Sequence, residues 1–139
     1  MISFNSETPF KLTNSDTLRT WIQEVINREE CVEGEINYIF CDDKYLHKLN
    51  VEFLDHDTLT DIISFDYSVG KELHGDIFIS IERVRDNALD FDVSFEEELH
   101  RVMVHGILHY CGFKDKNEAQ KKAMRQKENA YLATLAEMS

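Results

Sequence analysis

Apolar residues recur at helical spacing in several stretches of the chain, which predicts helices with one buried face. The first helix follows Asn14 or Ser15, either of which can serve as its N-cap. Its apolar positions are Leu18, Trp21, Ile22, Val25 and Ile26. Two more helices are predicted, one from Glu82 to Asp90 and one from about Asn117 to Ala136.

Two further helical segments have clear start signals. One begins at Asp42 or Asp43, and its predicted buried positions are Tyr45, Leu46, Leu49 and Phe53. The central one begins after Ser94, which forms a capping box with Glu97 three residues later. Its sheltered face is predicted to contain Leu99, Val102, Met103, Gly106 and Ile107.

Strands are predicted where β-branched and aromatic residues cluster in short runs. The runs are Ile2 to Phe4, Ile36 to Phe40, Thr60 to Tyr67 and Gly75 to Ile81. These strands interleave with the helices, and no linker or repeat divides the sequence. We therefore expect one α/β (α+β) domain over residues 1–139, with about five helices around a small sheet of about four strands.

Composition and cysteine content narrow the class of protein. A hydrophobic fraction of 42% favours a folded globular chain over a disordered one. Apolar runs are shorter than the roughly 20 residues of a membrane span, and the first ten residues lack the features of a signal peptide. Three scattered cysteines predict neither a disulfide framework nor a cysteine-ligated zinc. We expect a cytoplasmic protein that makes no membrane contact.

Charge is unevenly distributed along the chain. The formal net charge of −12 argues against binding nucleic acid over the whole surface. Residues 114–128 nevertheless carry a net charge of +3, and their basic members are Lys114, Lys116, Lys121, Lys122, Arg125 and Lys127. This segment could contact phosphates near a functional site, or it could be a solvated helix face.

The strongest chemical signal lies at the end of the central helix. His105 and His109 are four residues apart, so both imidazoles project from one helix face. Gly112 fits the left-handed position at which a helix ends, and the reversal carries Asp115 back toward the histidines. Two nitrogens, one carboxylate and a vacant fourth position describe a catalytic zinc site.

Simpler interpretations of the same residues exist. Histidines at this spacing also occur by chance in helices that bind no metal. Gly106 occupies the position of the general-base glutamate in zinc proteases, which weakens a protease interpretation. That glycine could allow close approach to a metal or substrate, or close helix packing. Cys111 lies off the ligand face and is interpreted as a small buried thiol.

The order of motifs resembles the YbeY family, the bacterial rRNA maturation endoribonucleases. The family pattern is histidine-glycine-x-leucine-histidine, followed by glycine, an aromatic residue, aspartate and a third histidine. It is matched by the segment from His105 to His109 and by Gly112-Phe113. Leu49-Asn50 with the segment from Thr60 to Phe65, and the segment from Gly75 to Ile79, resemble two further family blocks.

The resemblance implies a zinc-dependent hydrolase of single-stranded RNA with one Zn²⁺ per chain. Its implied role is maturation of the small-subunit rRNA 3′ end and ribosome quality control, with the ribosome or its associated proteins as partners. The implied fold is a four-stranded mixed sheet packed with helices, in which a metal cleft lies beside the central helix.

The chain departs from the family pattern at two positions. Asp115 stands where the family has its third histidine ligand; aspartate also binds zinc, at about 2.0–2.2 Å. His56 is a less favoured substitute, because its loop would have to fold over the cleft. Leu54 stands where the family has an arginine regarded as important for activity. Either another basic group such as Lys114 or Lys116 replaces that arginine, or the protein cleaves slowly or not at all.

Other site assignments remain candidates. Asp61 and Lys114 are candidates for a catalytic role, although Asp61 could instead cap a strand, and no catalytic base is assigned. Lys114, Lys116 and Lys121 are candidate RNA-binding residues. His100 is interpreted as a surface residue or as one that contacts a metal ligand without binding the metal. The alternatives to the nuclease are a metallohydrolase of another substrate, a ribosome-associated assembly factor with structural zinc and little nuclease activity, and an α/β domain that binds no metal.

Overall fold

The computed structural model describes residues 1–54 and 60–138. Within these ranges it contains five helices and four strands. The strands are β1 (Ile2–Ser6), β2 (Val32–Cys41), β3 (Ile62–Asp66) and β4 (Glu72–Ser80). The helices are α1 (Ser15–Arg28), α2 (Asp43–Leu54), α3 (Ile81–Phe91), α4 (Phe95–Tyr110) and α5 (Glu118–Met138). Every predicted element is present in the predicted order, with ends that shift by a few residues.

The four strands form one mixed sheet in the order β1-β2-β4-β3. Strand β2 lies parallel to both β1 and β4, and β3 pairs antiparallel with β4 through partners such as Ile63 and Phe78. Successive residues along β2 and β4 point to opposite faces of the sheet. The α/β architecture and the mixed sheet are as expected.

One sheet face carries the main hydrophobic core. Ile36, Tyr38 and Phe40 of β2 pack there together with Ile77 and Ile79 of β4. Buried side chains of α1, α3, α4 and α5 cover them. The opposite face is covered mainly by α2, through a small cluster formed by Cys41, Leu46 and Ile63.

Helix α2 is less buried than its sequence pattern predicts. Leu46 is buried as predicted, but the side chain of Phe53 is 62% exposed and Tyr45 is also exposed. Both rings pack along the edges of the helix against sheet residues, Phe53 on Phe65 and Tyr45 on Phe78. Helix α2 lies on the outer face of the sheet and buries only the stripe of residues that contacts the strands. The predictions that Tyr45 and Phe53 are buried were therefore wrong.

The predicted N-caps of three helices have different outcomes. Ser94 caps α4 as predicted, because its hydroxyl accepts a hydrogen bond from the backbone N–H of Glu97. Asn14 occupies the N-cap position of α1 but has a left-handed backbone (φ 58°), and its side chain makes no cap bond. Asp42 caps α2 through the backbone N–H of Tyr45, at 2.8 Å.

Helix α4 lies very close to the sheet at Gly106. A Cβ atom on this residue would lie 3.1 Å from Cδ1 of Ile62 and 3.2 Å from Cδ1 of Ile77. Two hydrogen bonds also hold the helix against the sheet: Tyr38 donates one to the carbonyl of Met103, and Tyr110 donates one to the carbonyl of Phe65. Close helix packing therefore accounts for Gly106, and α4 is held rigidly.

We predict that Asp43→Asn lowers the free energy of unfolding by about 1 kcal/mol, because Asp43 joins α2 to α3. Its carboxylate accepts hydrogen bonds from the Ser80 hydroxyl (2.7 Å) and from Nη2 of Arg83 (2.8 Å). Burial raises the pKa of Asp43, but these two bonds and the guanidinium charge outweigh burial and lower it below its usual value.

Because the folded-state pKa is lowered, this stabilisation is present above the unfolded-state pKa and is lost as the pH falls through the folded-state pKa. Urea titrations of wild type and Asp43→Asn at neutral and acid pH measure it. The matched control is Asp86→Asn, since Asp86 also contacts Arg83, at 3.3 Å, but is exposed. Equal losses in both variants would contradict the prediction.

Candidate metal centre and adjoining cleft

Helix α4 ends in a tight reversal centred on Gly112. This residue has φ +104°, a conformation that L side chains rarely adopt. Its N–H donates to the carbonyl of His109, and the N–H of Phe113 donates to the carbonyl of Leu108, both at 3.0 Å. This bond pair is the Schellman motif, which ends helices at a glycine. The chain then turns back, and Asp115 lies beside the last turn of α4.

Three donor atoms converge at this reversal. Nε2 of His105 and Nε2 of His109 are 3.0 Å apart. Oδ2 of Asp115 lies 3.3 Å from the first nitrogen and 3.4 Å from the second. Ligands about 2.0–2.1 Å from a tetrahedral metal are about 3.3–3.4 Å from one another. The triangle therefore has the dimensions of three corners of a tetrahedral site, and the three residues could hold a metal ion.

The other ring nitrogens fix both histidine orientations. Nδ1 of His109 lies 2.9 Å from the carbonyl oxygen of Phe113, and Nδ1 of His105 lies 2.7 Å from Oε2 of Glu128. Both partners are acceptors, so each Nδ1 carries the proton and each Nε2 presents a lone pair. Two lone pairs and a carboxylate that face one another repel unless positive charge lies between them. The donor set thus fits a bound cation.

Glu128 is the main support of this centre. Its side chain is on α5 and only 4% of the residue is exposed. One carboxylate oxygen bonds His105, and the other lies 3.0 Å from Nη1 of Arg101 and 3.7 Å from Nη1 of Arg125. Burial lowers the pKa of His105, but the bond and charge of Glu128, with the charges of Asp115 and Asp61, outweigh burial and raise it. The acids around His105 therefore favour a cation at this position.

A cleft of about 390 Å³ opens beside His105 and Asp115. Besides Asp115 and Glu128, two carboxylic acids line it: Asp61 immediately before β3 and Glu98 on α4. Burial raises the pKa of Asp61, although the charge of His105 partly opposes this. Burial also raises the pKa of Glu98, and the charge of Asp61 adds to the effect. Both acids therefore hold their protons to higher pH than exposed carboxyls, as proton-transfer groups often do.

The predicted basic residues divide between the cleft and the solvent. Lys121 lines the cleft, and Arg125 lines it one helical turn later. The described cleft lining contains neither Lys114 nor Lys116, both of which are exposed on the loop before α5. Leu54 is the last residue of α2 and is partly exposed. Within the described residues, the cleft cations come from α4 and α5.

The remaining histidine and cysteine predictions concern His100, Cys111 and His56. His100 does not support the metal centre; its ring packs edge-on against Trp21, with centroids 6.2 Å apart. Cys111 is half-buried against the core beside Cys31, and burial raises the pKa of its thiol. His56 lies outside the described residues. Cys111 was interpreted as a small buried thiol; it packs against the core but is only partly buried.

Sequence reasoning missed Glu128 and Arg101. The sequence did contain an indication that Glu128 is buried. It lies between Met124 and Tyr131 in the apolar stripe of α5, where burying an unpaired charge would be costly. Arg101 stands one turn before His105 on the same face of α4. A charged residue within an apolar stripe indicates a buried partner.

Comparison with known proteins places the chain in a family. The sequence model described as Endoribonuclease YbeY matches residues 2–136. An Endoribonuclease YbeY from Flavobacterium johnsoniae is 65% identical over 133 residues, which is 96% of each chain. One from Christiangramia forsetii is 54% identical over 132 residues, covering 95% of this chain and 92% of the relative. This chain belongs to the endoribonuclease YbeY family.

A solved structure supports the same fold. The solution structure of a protein from Thermotoga maritima matches with a TM-score of 0.69 at 29% identity. The match covers 97% of this chain and 89% of that one. Among residues 1–54 and 60–138, no helix combines the length and apolar character needed to cross a membrane.

We predict that Glu128→Gln lowers the affinity for zinc by about 10- to 100-fold, the usual effect of removing a carboxylate that orients a ligating histidine. Glutamine keeps the size of the side chain but weakens its bond to His105. Competition with a chromophoric chelator measures the affinity. Glu118→Gln is the control on the same helix, where the carboxylate is almost fully exposed. Equal affinity in the two variants would contradict the positioning role of Glu128.

Proposed function

We propose that this member of the family is a metal-dependent endoribonuclease that hydrolyses single-stranded RNA at the centre formed by His105, His109 and Asp115. One observation carries the proposal: three donor atoms lie at tetrahedral spacing beside an open polar cleft. A structural zinc has four protein ligands, whereas a catalytic zinc has three. The described residues supply three.

Zinc, one ion per chain, is the metal that this donor set fits best. Imidazole nitrogens and a carboxylate oxygen are ordinary zinc ligands. When bound there, zinc would supply Lewis acidity at a phosphate oxygen and would make water more acidic. An aspartate in place of a third histidine adds negative charge, so the metal would be a weaker Lewis acid than in a three-histidine site.

Asp61 is the proposed proton acceptor. It lines the cleft next to His105, and its raised pKa places it closer to neutrality than an exposed aspartate. A base with a pKa near the working pH transfers protons more effectively. Its backbone carbonyl accepts a hydrogen bond from the N–H of Ser80 at 3.0 Å, which fixes the residue at the start of β3. Lys114, the other catalytic candidate, is exposed.

The biological role follows from the family. We propose action on small-subunit rRNA in 3′-end maturation and in ribosome quality control, in the cytoplasm, with the ribosome or ribosome-associated proteins as partners. The basic groups of the cleft support an RNA substrate, since phosphates are recognised by lysine and arginine.

Two alternatives make different predictions. A peptide hydrolase needs a general base, and Gly106, which occupies the position of the protease glutamate, packs on Ile62 and Ile77. An assembly factor with structural zinc would bind RNA without cleaving it, and Leu54 in place of the family arginine favours this alternative. The open cleft beside the donor set favours the enzyme.

Loss of a ligand should remove both metal and activity. We expect His109→Ala and Asp115→Ala to bind less zinc and to cleave a single-stranded RNA at least about 100-fold more slowly, because the metal contributes several kcal/mol to the transition state. Asp115→His should retain metal. Metal content by mass spectrometry and cleavage on gels measure both effects, with Asp86→Ala as the control. RNA binding without cleavage by zinc-loaded wild type would contradict the nuclease proposal.

Replacing Asp61 should change the pH profile of cleavage. We expect Asp61→Asn to lower kcat by about 10²- to 10⁴-fold without loss of zinc. In the wild type, activity should fall with decreasing pH at a value above the usual aspartate pKa of about 3.9, because the acceptor must be deprotonated and its pKa is raised. Asp61→Glu should move this fall in activity to a different pH, and Asp61→Asn should remove it. An unchanged fall in Asp61→Asn would exclude the assignment.

A further inference from the structure

We propose that the cleft is a nucleotide subsite in which the ring of Phe91 stacks on a base of single-stranded RNA while Arg125, assisted by Lys121, binds a neighbouring phosphate. The inference rests on the proposed function, since it names the substrate contacts of the same cleft. It also assigns to α5 the phosphate contact that Leu54 cannot make.

The cleft extends along α4 away from the metal centre. Its lining includes His105 and, two turns earlier on the same helix, Glu98. Seven residues of helix span about 10 Å. Phe91, the last residue of α3, also lines the cleft and lies three residues before the N-cap Ser94. The ring is therefore associated with the N-terminal end of α4, on the side away from the metal.

Phe91 presents an aromatic surface to solvent at this position. Its side chain is 57% exposed, although it lines a concave surface. Asp92 follows it in a left-handed conformation (φ 55°), which ends α3 and fixes the direction of the chain. Each base has a π-face, so an exposed ring in a cleft binds bases with little sequence preference. This suits an enzyme that acts on single strands.

Arg125 has the freedom that a phosphate contact needs. Arg101 is nearly buried and is engaged by Glu128 at 3.0 Å. Arg125 is 57% exposed, and its nearest Glu128 oxygen is 3.7 Å away, so most of its five donors remain available. Lys121 lies one turn earlier on α5, where its nearest acid is the exposed Glu118 at 3.8 Å. A guanidinium binds phosphate oxygens in pairs, which leucine cannot do.

The charge distribution also favours this location. The whole chain carries −12, which repels RNA over most of its surface. The cleft lining holds three cations, Arg101, Lys121 and Arg125, and four acids. Of the acids, Glu128 pairs with Arg101, and Asp115 belongs to the candidate metal centre. With a divalent cation bound at the centre, this cleft would therefore repel RNA less than the rest of the acidic surface does.

The stacking contact is tested with Phe91→Ala, Phe91→Trp and the control Leu89→Ala. Leu89 is 80% exposed near the same end of α3 and does not belong to the described cleft lining. Anisotropy of a fluorescent ten-nucleotide phosphorothioate RNA measures binding. We expect Phe91→Ala to weaken binding by about 5- to 150-fold, and to raise KM of an unmodified RNA more than it lowers kcat. Phe91→Trp and Leu89→Ala should bind like wild type.

Phe91→Trp gives a second, direct signal. The chain has one tryptophan, Trp21, which is fully buried and provides a constant background. Stacking on a base should quench the fluorescence of the new indole when RNA is added, and an RNA with abasic sugars should not. Absence of quenching together with wild-type affinity in Phe91→Ala would overturn the stacking contact.

The phosphate contact is tested with Arg125→Gln and the control Lys122→Gln, an exposed cation of the same helix outside the cleft lining. Each phosphate contact on a single strand contributes about −0.7 to the slope of log K against log salt concentration. We expect Arg125→Gln to reduce the magnitude of the slope by about that amount, and Lys122→Gln to leave it unchanged. Equal slopes in the two variants would overturn the phosphate contact.

These results separate the inference from the proposed function. If all variants bind and cleave RNA like wild type, the subsite is wrong and the nuclease stands. If binding depends on Phe91 and Arg125 but zinc-loaded wild type does not cleave, the subsite stands and the nuclease is wrong. If wild type neither binds nor cleaves the RNA, both are wrong.

Discussion

The buried carboxylate of Glu128 is the constraint on which the site depends. A carboxylate this deeply buried is costly unless charged or polar partners surround it. Here the partners are Arg101 and His105, both on α4, so these contacts hold α5 against α4. The same bond fixes the proton on Nδ1 of His105 and turns Nε2 toward His109 and Asp115. Helix packing and ligand orientation thus have one electrostatic cause.

The positions of His105 and His109 also depend on how α4 packs against the sheet. Gly106 lets the helix touch the sheet, and the hydroxyls of Tyr38 and Tyr110 bond carbonyls across the contact between helix and sheet. The helix therefore cannot slide or rotate without breaking buried contacts. The Schellman turn at Gly112 then places Asp115 relative to a fixed helix end. A metal site on rigid elements keeps its geometry whether or not a substrate is bound.

The convergence of the three donor residues was predictable because they are close together in the sequence. His105, His109 and Asp115 lie within one helix end and one turn, whose geometry follows from spacing and from a single glycine. Glu128 and Phe91 come close to this site only through packing of separate helices, which spacing does not encode. Exposure of Tyr45 and Phe53 was missed for a related reason: an apolar stripe shows which face packs, but not how far the packed surface extends.

We propose that His105, His109 and Asp115 bind one metal ion while Glu128 orients the first of them. The most direct measurement is anomalous diffraction at the zinc edge from crystals of zinc-loaded protein. We expect one strong peak, with Nε2 of both histidines and a carboxylate oxygen of Asp115 within about 2.0–2.2 Å of it, and with Nδ1 of His105 still bonded to Glu128. A peak that Asp115 does not ligate, or a peak elsewhere in the molecule, would contradict it.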